Sequence, residues 1–392
     1  MAIPQGYKAT ALGIIPQEWK TVRLRDCFYI SAGGDVQKDY FSETPSRQYK
    51  YPIYSNSLFN HGLYGFTSHP RHKANSITIT GRGALGHAEY RATDFDAIVR
   101  LLVLAPKKPL NGQYITEYIN FRKPFFYEST GVPQLTAPQI ANIQVLFPPL
   151  EEQRKIAEVL GVWDEAIEKQ ARLIEKLALR KRGLMQRLLS AKLRLPGFSE
   201  PWQKVKFCEL FTKSIKTADP LTKYEVLSVT KEGIVAQKSY FNKDIASEDT
   251  SKYIVVERGD LAMSGLNFWM GSCHILTNFN EGIISPAYKV FKVTEHNNIN
   301  FIRDFVRSSM FLQALQGCSV IGASIVRRNL DKEMLYEWTF KIPSLKEQTA
   351  IAKVLTAADR EIELAKEKLE RLRRQKRGLM QQLLTGKKRV KY

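Results

Sequence analysis

Gly81-Arg82-Gly83-Ala84-Leu85-Gly86 has the GxGxxG spacing of a dinucleotide or methyl-donor loop. That chemistry needs a helix to follow, because the helix N-terminus holds the phosphate. Here His87-Ala88-Glu89-Tyr90-Arg91 continues as alternating, strand-like sequence, so a glycine-supported β-turn is the better reading. Gly317-Cys318-Ser319-Val320-Ile321-Gly322-Ala323-Ser324 mimics a P-loop, but Ala323 stands where the phosphate-binding lysine belongs. Among six histidines only His69 and His72 have ligand spacing, and around Pro70 they read as part of a solvated loop. Four cysteines (Cys27, Cys208, Cys273, Cys318) lie far apart, with no CxxC pair, which fits neither a zinc site nor a disulfide framework. No Ser-His-Asp or paired-carboxylate constellation can be singled out. The chain reads as catalytically empty, without a metal or cofactor of its own.

Phe147-Pro148-Pro149-Leu150 is superficially like the Asn/Asp-Pro-Pro-aromatic motif of amino-methyltransferases. It lacks the polar first residue that would bond a flipped base's amino group, and it sits at a helix entrance. What remains is a polar and aromatic surface. Within Tyr54–Gly65, the side chains of Ser55, Asn56, Ser57, Asn60 and His61 can hydrogen-bond base edges, and Arg82 on the glycine turn could reach guanine O6 and N7. In the second half of the chain Asn267, Trp269, Arg327, Arg328 and Asn329 are equivalent candidates. Charge points the same way: 59 Lys and Arg against 39 Asp and Glu give +20, positive in every segment defined below. Nine bases follow Glu370 without one acid. A nucleic acid is the partner this balance favours.

An internal repeat determines what must position these residues. Pro148-Pro149-Leu150-Glu151-Glu152-Gln153-Arg154-Lys155-Ile156-Ala157-Glu158-Val159-Leu160 recurs as Pro343-Ser344-Leu345-Lys346-Glu347-Gln348-Thr349-Ala350-Ile351-Ala352-Lys353-Val354-Leu355. At the same offset, Lys181–Gln186 matches Lys376–Gln381, and Trp19–Leu24 faintly echoes Trp202–Phe207. The fold class is therefore α+β, a tandem duplication with four segments: a globular domain over 1–149, a helical region over 150–195, a second domain over 196–342, and a helical region with a basic tail over 343–392.

The helical regions carry apolar residues at alternating steps of three and four. Ile156, Leu160, Ile167, Ile174, Leu177, Leu184 and Leu188 form one seam; Ile351, Leu355, Ile362, Leu369, Leu372, Leu379 and Leu383 form the other, with Gln170, Lys181 and Lys376 at polar steps. Pro148 and Pro343 mark the entrances and Gly386 a stop, while Gly183 and Gly378 mark close packing or a local break. Such seams must be covered, either each by its own globular domain or by the other helix, and a pseudo-two-fold repeat favours the second, an antiparallel coiled-coil pair. From Gln153 to Ser190 the helix would be roughly 57 Å long at 1.5 Å per residue, a ruler longer than the ~34–36 Å of one DNA turn.

The globular segments show β-type runs at Ser76–Thr80, Ala97–Leu104, Ile254–Val256, His274–Leu276 and Ala287–Val293, and helical stretches near Gln113–Phe121 and Ile302–Leu315. No apolar run reaches the ~18 residues that span a bilayer, and Met1–Lys20 has no secretory pattern, so the expected location is the cytoplasm with no membrane contact.

With its duplicated Leu-x-Glu-Gln-x-x-Ile-Ala-x-Val-Leu and Lys-Arg-Gly-Leu-Met-Gln-x-Leu-Leu helices, the chain resembles the DNA-specificity (S) subunit of type I restriction–modification systems. Regions 148–194 and 343–389 look like that family's central and distal conserved regions. Tyr51–Tyr54, Gly81–Gly86, Gly131–Leu135 (with Gln134 as a further DNA-binding candidate) and Ile284–Tyr288 look like pieces of its two target-recognition domains. The resemblance implies a non-catalytic subunit that reads a bipartite double-stranded DNA target, one half-site per domain. It implies methyltransferase (M) subunits, as a rule two, that bind S-adenosylmethionine and methylate adenine. Restriction (R) subunits using ATP and Mg can join, and these partners dock on the helical seams. Two other classes compete: a self-contained methyltransferase or nuclease, which would need a donor or metal site, and a coiled-coil scaffold or tandem RNA-binding protein.

Overall fold

The structure, a computed structural model, describes residues 3–122, 133–219, 224–241, 250–321 and 328–391. Five helices organise it: α1 (Gly112–Arg122), α2 (Leu150–Leu188), α3 (Ile299–Phe305), α4 (Ser309–Gly317) and α5 (Leu345–Leu383). The chain forms two compact units, Met1–Ala171 with Glu367–Tyr392, and Arg172–Lys366. Each long helix therefore serves both units, a division that cuts across the four sequence segments.

α2 and α5 are each 39 residues long, about 58 Å at 1.5 Å per residue. In the first unit Ile156, Ala157 and Leu160 share a core with Met380, Leu383 and Leu384. In the second, Ile351, Ala352 and Leu355 share one with Leu188 and Leu189. In the first unit Asp164, further along α2, meets Lys376, earlier on α5, and in the second Lys181, earlier on α2, meets Asp359, further along α5, so the pairing inside each unit is antiparallel. Every expected seam residue is at least half-buried; Ile167, Ile174, Leu184, Ile362, Leu372 and Leu379 are the less covered ones. Gly183 and Gly378 mark neither a break nor close packing: helix runs through both, and a Cβ at either would meet open space. Gly386 does end the second helical region, at φ +72, with a Cβ position only 2.4 Å from Pro16 Cδ.

The first unit holds strands β1 (Tyr7–Thr10), β2 (Gly13–Pro16), β3 (Lys20–Arg23), β4 (Phe28–Ala32), β5 (Phe41–Ser42), β6 (Tyr51–Tyr54), β7 (Leu63–Thr67), β8 (Ser76–Ile79), β9 (Ala88–Arg91), β10 (Asp96–Ala97), β11 (Leu102–Pro106) and β12 (Gln144–Phe147). Two four-stranded sheets, β10-β6-β7-β5 and β4-β11-β8-β9, carry the loops of interest, and β3 pairs antiparallel with β12 just before α2.

The second unit holds β13 (Gln203–Lys206), β14 (Phe211–Lys213), β15 (Leu227–Val229), β16 (Ile234–Ala236), β17 (Ile254–Glu257), β18 (Leu261–Met263), β19 (Cys273–Ile275), β20 (Glu281–Ile284), β21 (Lys289–Val293), β22 (Ser319–Ile321), β23 (Arg328–Leu330) and β24 (Thr339–Ile342). Sheet β14-β21-β18-β19 and pair β13-β24 repeat β4-β11-β8-β9 and β3-β12.

The repeat extends to buried polar groups. Gln153 Nε2 donates to the Pro148 carbonyl at 2.9 Å and its Oε1 accepts from the Asn111 amide at 2.9 Å. Gln348 does the same with Pro343 at 3.0 Å and Asn298 at 2.9 Å, fixing α1 and α3 as equivalents. Trp19 Nε1 donates to Glu152 at 2.9 Å, and Arg389 closes on that carboxylate at 2.6 and 2.9 Å. Trp202 and Arg194 repeat the arrangement on Glu347. Glu152 and Glu347 are nearly inaccessible, so each carboxylate depends on these donors.

Three expected elements differ. The run Ala97–Leu104 is two strands, because Val99 and Arg100 turn left-handed at φ +53 and +58. Ile302–Leu315 is two helices, α3 and α4, the second restarted by Ser308, whose hydroxyl accepts from the Phe311 amide. Strand β21 begins at Lys289 rather than Ala287. Gly81–Gly86 is a turn between β8 and β9, with Gly83 and Gly86 at positive φ. Of the P-loop mimic, Gly317 ends helix α4, and residues 322–324 lie outside the described residues.

Candidate nucleic-acid interface

In the first unit the loop joining β6 to β7 presents Ser57, Leu58, Phe59, Asn60 and His61 to solvent, with Phe59 85% exposed. Its ends are closed by the Ser55 amide donating to the Gly62 carbonyl at 2.8 Å. Gly62 is required there: at φ +78 a Cβ would lie 2.7 Å from the Ser55 carbonyl. The Ser55 and Ser57 hydroxyls accept from the Ser57 and Phe59 amides, which makes them loop braces. Asn60 and His61 are both left-handed, at φ +47 and +54.

Beneath this loop lies Arg91, 6% exposed. Its Nη2 donates to the His61 carbonyl at 3.1 Å, its Nε to Thr78 Oγ1 at 2.9 Å, and its guanidinium covers the Tyr54 ring at 3.6 Å. His61 Nδ1 and His87 Nε2 meet the same oxygen of Glu89, at 3.2 and 3.0 Å. Burial raises the affinity of Glu89 for its proton, yet hydrogen bonds from His87 and His61 and the charge of Arg91 outweigh it and hold the carboxyl below its usual range.

Arg82 is exposed on the glycine turn, and its Nη2 donates to Gln134 Oε1 at 3.3 Å, bringing together two candidates 52 positions apart. Asn56 is brought to the same place, but its amide binds backbone on both sides. His69 and His72 stay in the loop: His69 bonds Ser68 at 2.9 Å, and His72 stacks on Phe95. Among the described residues no three His, Cys, Asp or Glu side chains gather as metal ligands.

In the second unit Asn267 is exposed at the head of a helical turn over Phe268–Met270, and Asn329 is exposed on β23. Arg328 lies over the Trp269 ring at 4.4 Å, its Nη1 donating to Ser319 Oγ at 3.0 Å. Trp269 Nε1 and Arg328 Nε are buried with no hydrogen-bond partner among the described residues. Val320 and Ile321, beside them on β22, are 53% and 68% exposed. Arg327 lies outside the described residues. Sequence reasoning missed Arg91, Val99 and Arg100. The signal for Arg91 was an arginine at an inward position of a strand.

Exposed aromatic and apolar side chains beside unpaired or hydrogen-bonding polar ones, on loops braced by rigid sheets, can contact bases and sugar while basic residues meet phosphates. No helix among the described residues is long and apolar enough to cross a membrane.

The sequence pattern of the type I restriction modification DNA specificity domain matches this chain twice, over residues 16–178 and 199–374. A candidate type I restriction enzyme specificity subunit of Methanocaldococcus jannaschii, MjaX, is 23% identical over 440 aligned positions, covering 99% of this chain and 97% of that protein. A candidate type I specificity subunit of Mycoplasma pneumoniae is 32% identical over 145 residues; the match spans 37% of this chain and 39% of the relative. Among solved structures, the S subunit of the type I restriction-modification system of M. genitalium has the same fold, with a TM-score of 0.57 at 14% identity over 98% of both chains.

Proposed function

As a member of the type I restriction modification DNA specificity family, this chain is a non-catalytic specificity subunit, and we propose that it reads a double-stranded DNA target in two half-sites, one per unit. The observation that carries this is the repeat. Each unit keeps the same buried clasp (Trp19–Glu152–Arg389 and Trp202–Glu347–Arg194), while the loops differ. A constant frame with divergent loops suits two readers of unlike sequences. On this reading two half-sites on one chain bind with the second contact made intramolecularly, so modest affinities multiply.

The family assembles with methyltransferase and restriction subunits. The seams are covered by the chain's own cores, so docking moves to the exposed faces of α2 and α5; two M subunits there, with S-adenosylmethionine, ATP and Mg bound by the partners and none by this chain, complete the proposal. Its place of work would be the cytoplasm. The base contacts would come from Asn60, His61, Arg82 and Gln134 in the first unit, and from Asn267, Trp269, Arg327, Arg328 and Asn329 in the second.

Selection from a random duplex library, with the chain co-purified with its methyltransferase partner, tests this. Two short blocks at a fixed gap are expected. One block would mean that one unit is idle. No enrichment, or preference for structured RNA, would favour the scaffold or RNA-binding reading.

A further inference from the structure

Three loops of the first unit meet at one side-chain amide. Asn56 Nδ2 donates to the Val99 carbonyl at 2.6 Å, and its Oδ1 accepts from the Gly81 amide at 2.8 Å. An Asn that read adenine would need those same two atoms free for the base's N6 and N7. Asn56 instead ties the β6–β7 loop to the glycine turn and to a turn over residues 98–101.

That last turn is unusual. Val99 and Arg100 are consecutive left-handed residues, and a β-branched side chain takes that conformation only where its surroundings impose it. Here the Val99 amide donates to the Gly34 carbonyl and the Arg100 amide to the Gly33 carbonyl, both at 2.9 Å. Gly33 admits this approach because it lacks a Cβ, which would sit 2.6 Å from the Ala97 carbonyl carbon. Among the described residues six non-glycines have positive φ, and four of them (Asn60, His61, Val99, Arg100) lie on two of the three loops that Asn56 joins. The strain is concentrated where the loops converge. It holds Val99 and Arg100 at the surface, and Arg100 pairs with no acid among the described residues.

We propose that the Val99–Arg100 turn is a second base-reading element of the first recognition domain, with Arg100 the reader and Asn56 the positioning residue that fixes the turn against the neighbouring loops. This rests on the reading of the chain as a two-half-site DNA reader. A guanidinium on a rigidly held backbone, not engaged by a carboxylate, can present its donor fork to guanine O6 and N7. An arginine serving only phosphate needs no such backbone.

The test uses the full chain co-purified with its methyltransferase partner, in the same random-duplex selection. Arg100→Ala should abolish preference at one position of the first block, leave the second block intact, and leave the folding midpoint unchanged. Affinity for the selected site should fall about tenfold or more, the scale of one lost bidentate base contact, with affinity for unrelated duplex unchanged. Asn56→Ala should blur several positions of the first block and none of the second, a half-site-specific readout that general destabilisation would not give.

An unchanged first block in Arg100→Ala would overturn the proposal. So would an equal loss on all sequences with a shallower salt dependence, since that marks a phosphate contact. If Phe59→Ala and Arg82→Ala also leave the first block intact, this whole face is not the reader. The failure would then lie in the site assignment and not in the turn alone.

Discussion

Lys376 donates to Glu117 at 2.8 Å, joining residues 259 positions apart and linking α5 to α1. The same ammonium reaches both oxygens of Asp164 on α2 at 2.7 Å. The second unit repeats the arrangement with Lys181, Asp359 and Asp304, where Asp304 occupies the place of Glu117. There Arg303 joins in, donating to Asp304 at 2.8 Å and to Asp359 at 3.3 Å, whereas its equivalent in the first unit is Thr116. These ion clusters fix α1 and α3 each to the stretches of α2 and α5 that belong to the same unit.

Lys376→Met should destabilise the first unit by about 2 kcal/mol, below the 3–5 of a fully buried pair because Asp164 is half exposed. Burial pushes the Glu117 carboxyl above its ordinary range even with Lys376 present. Adding Glu117→Gln should therefore restore part of the loss. Lys181→Met should cost less, since Arg303 still holds both carboxylates. Urea unfolding of the four proteins checks this, and equal losses for the two lysines would refute the compensation by Arg303.

The clasp carboxylates make a second comparison. Arg389→Met leaves Glu152 buried with only the Trp19 indole, so a loss of about 2–4 kcal/mol is expected; Trp19→Phe removes one neutral donor to a charged group and should cost about 1.5–3 in hydrogen bonding plus packing. Arg194→Met should behave like Arg389→Met. A near-neutral result for either arginine, in denaturant melts, would show that water reaches the carboxylate.

Glycines separate by the space around them. Gly386→Ala meets Pro16 and a left-handed backbone, and should lose at least ~1 kcal/mol. Gly183→Ala and Gly378→Ala enter open space in helix interiors and should each gain about 0.5–1 kcal/mol. Thermal melts of the three variants should move in these opposite directions.

Acid should loosen the second unit by an identifiable route. Hydrogen bonds from Lys216 and Lys292 to Glu257, at 2.6 and 2.8 Å, lower its carboxyl to about 2. A carboxylate depressed in the folded state contributes stability above its ordinary value near 4.5, and loses it as pH falls from there towards 2. Glu257 is 36% exposed, so solvent screening limits the effect to about 1 kcal/mol at most. Glu257→Gln should flatten the stability profile over that range and leave it unchanged at neutral pH apart from a constant offset.

Much of this architecture is legible in the residues themselves. The 195-residue offset locates α2 and α5, and three-four spacing picks out Ile156, Leu160, Ile351 and Leu355 as core. Pattern also rejects the GxGxxG loop, because His87–Arg91 alternates. The reading surface is less legible. Asn56 is visibly a polar loop residue, but whether its amide faces a base or a backbone depends on Val99 and Gly81, which no local pattern relates to it. Val99 and Arg100 sit in an apolar run that looks like strand; only Gly33 and Gly34, 66 residues earlier, bend it. Lys181 and Lys376 look like polar interruptions of a seam, and their carboxylate partners on α1 and α3 emerge only from tertiary packing.

The division of the helices has a consequence during synthesis. The second unit is one continuous stretch, Arg172–Lys366, while the first needs Glu367–Tyr392 to complete it. Arg389 must reach Glu152 and Glu18, the latter 371 positions away. A ribosome making this chain emits the first unit's sheets early but delivers Leu383, Leu384 and Arg389 only after the whole second unit has been made. The usual order, N-terminal domain first, is thereby inverted: the later-made unit can finish while the earlier one waits with Ile156 and Leu160 uncovered. In that interval the nascent first unit is the part of the molecule in need of a chaperone.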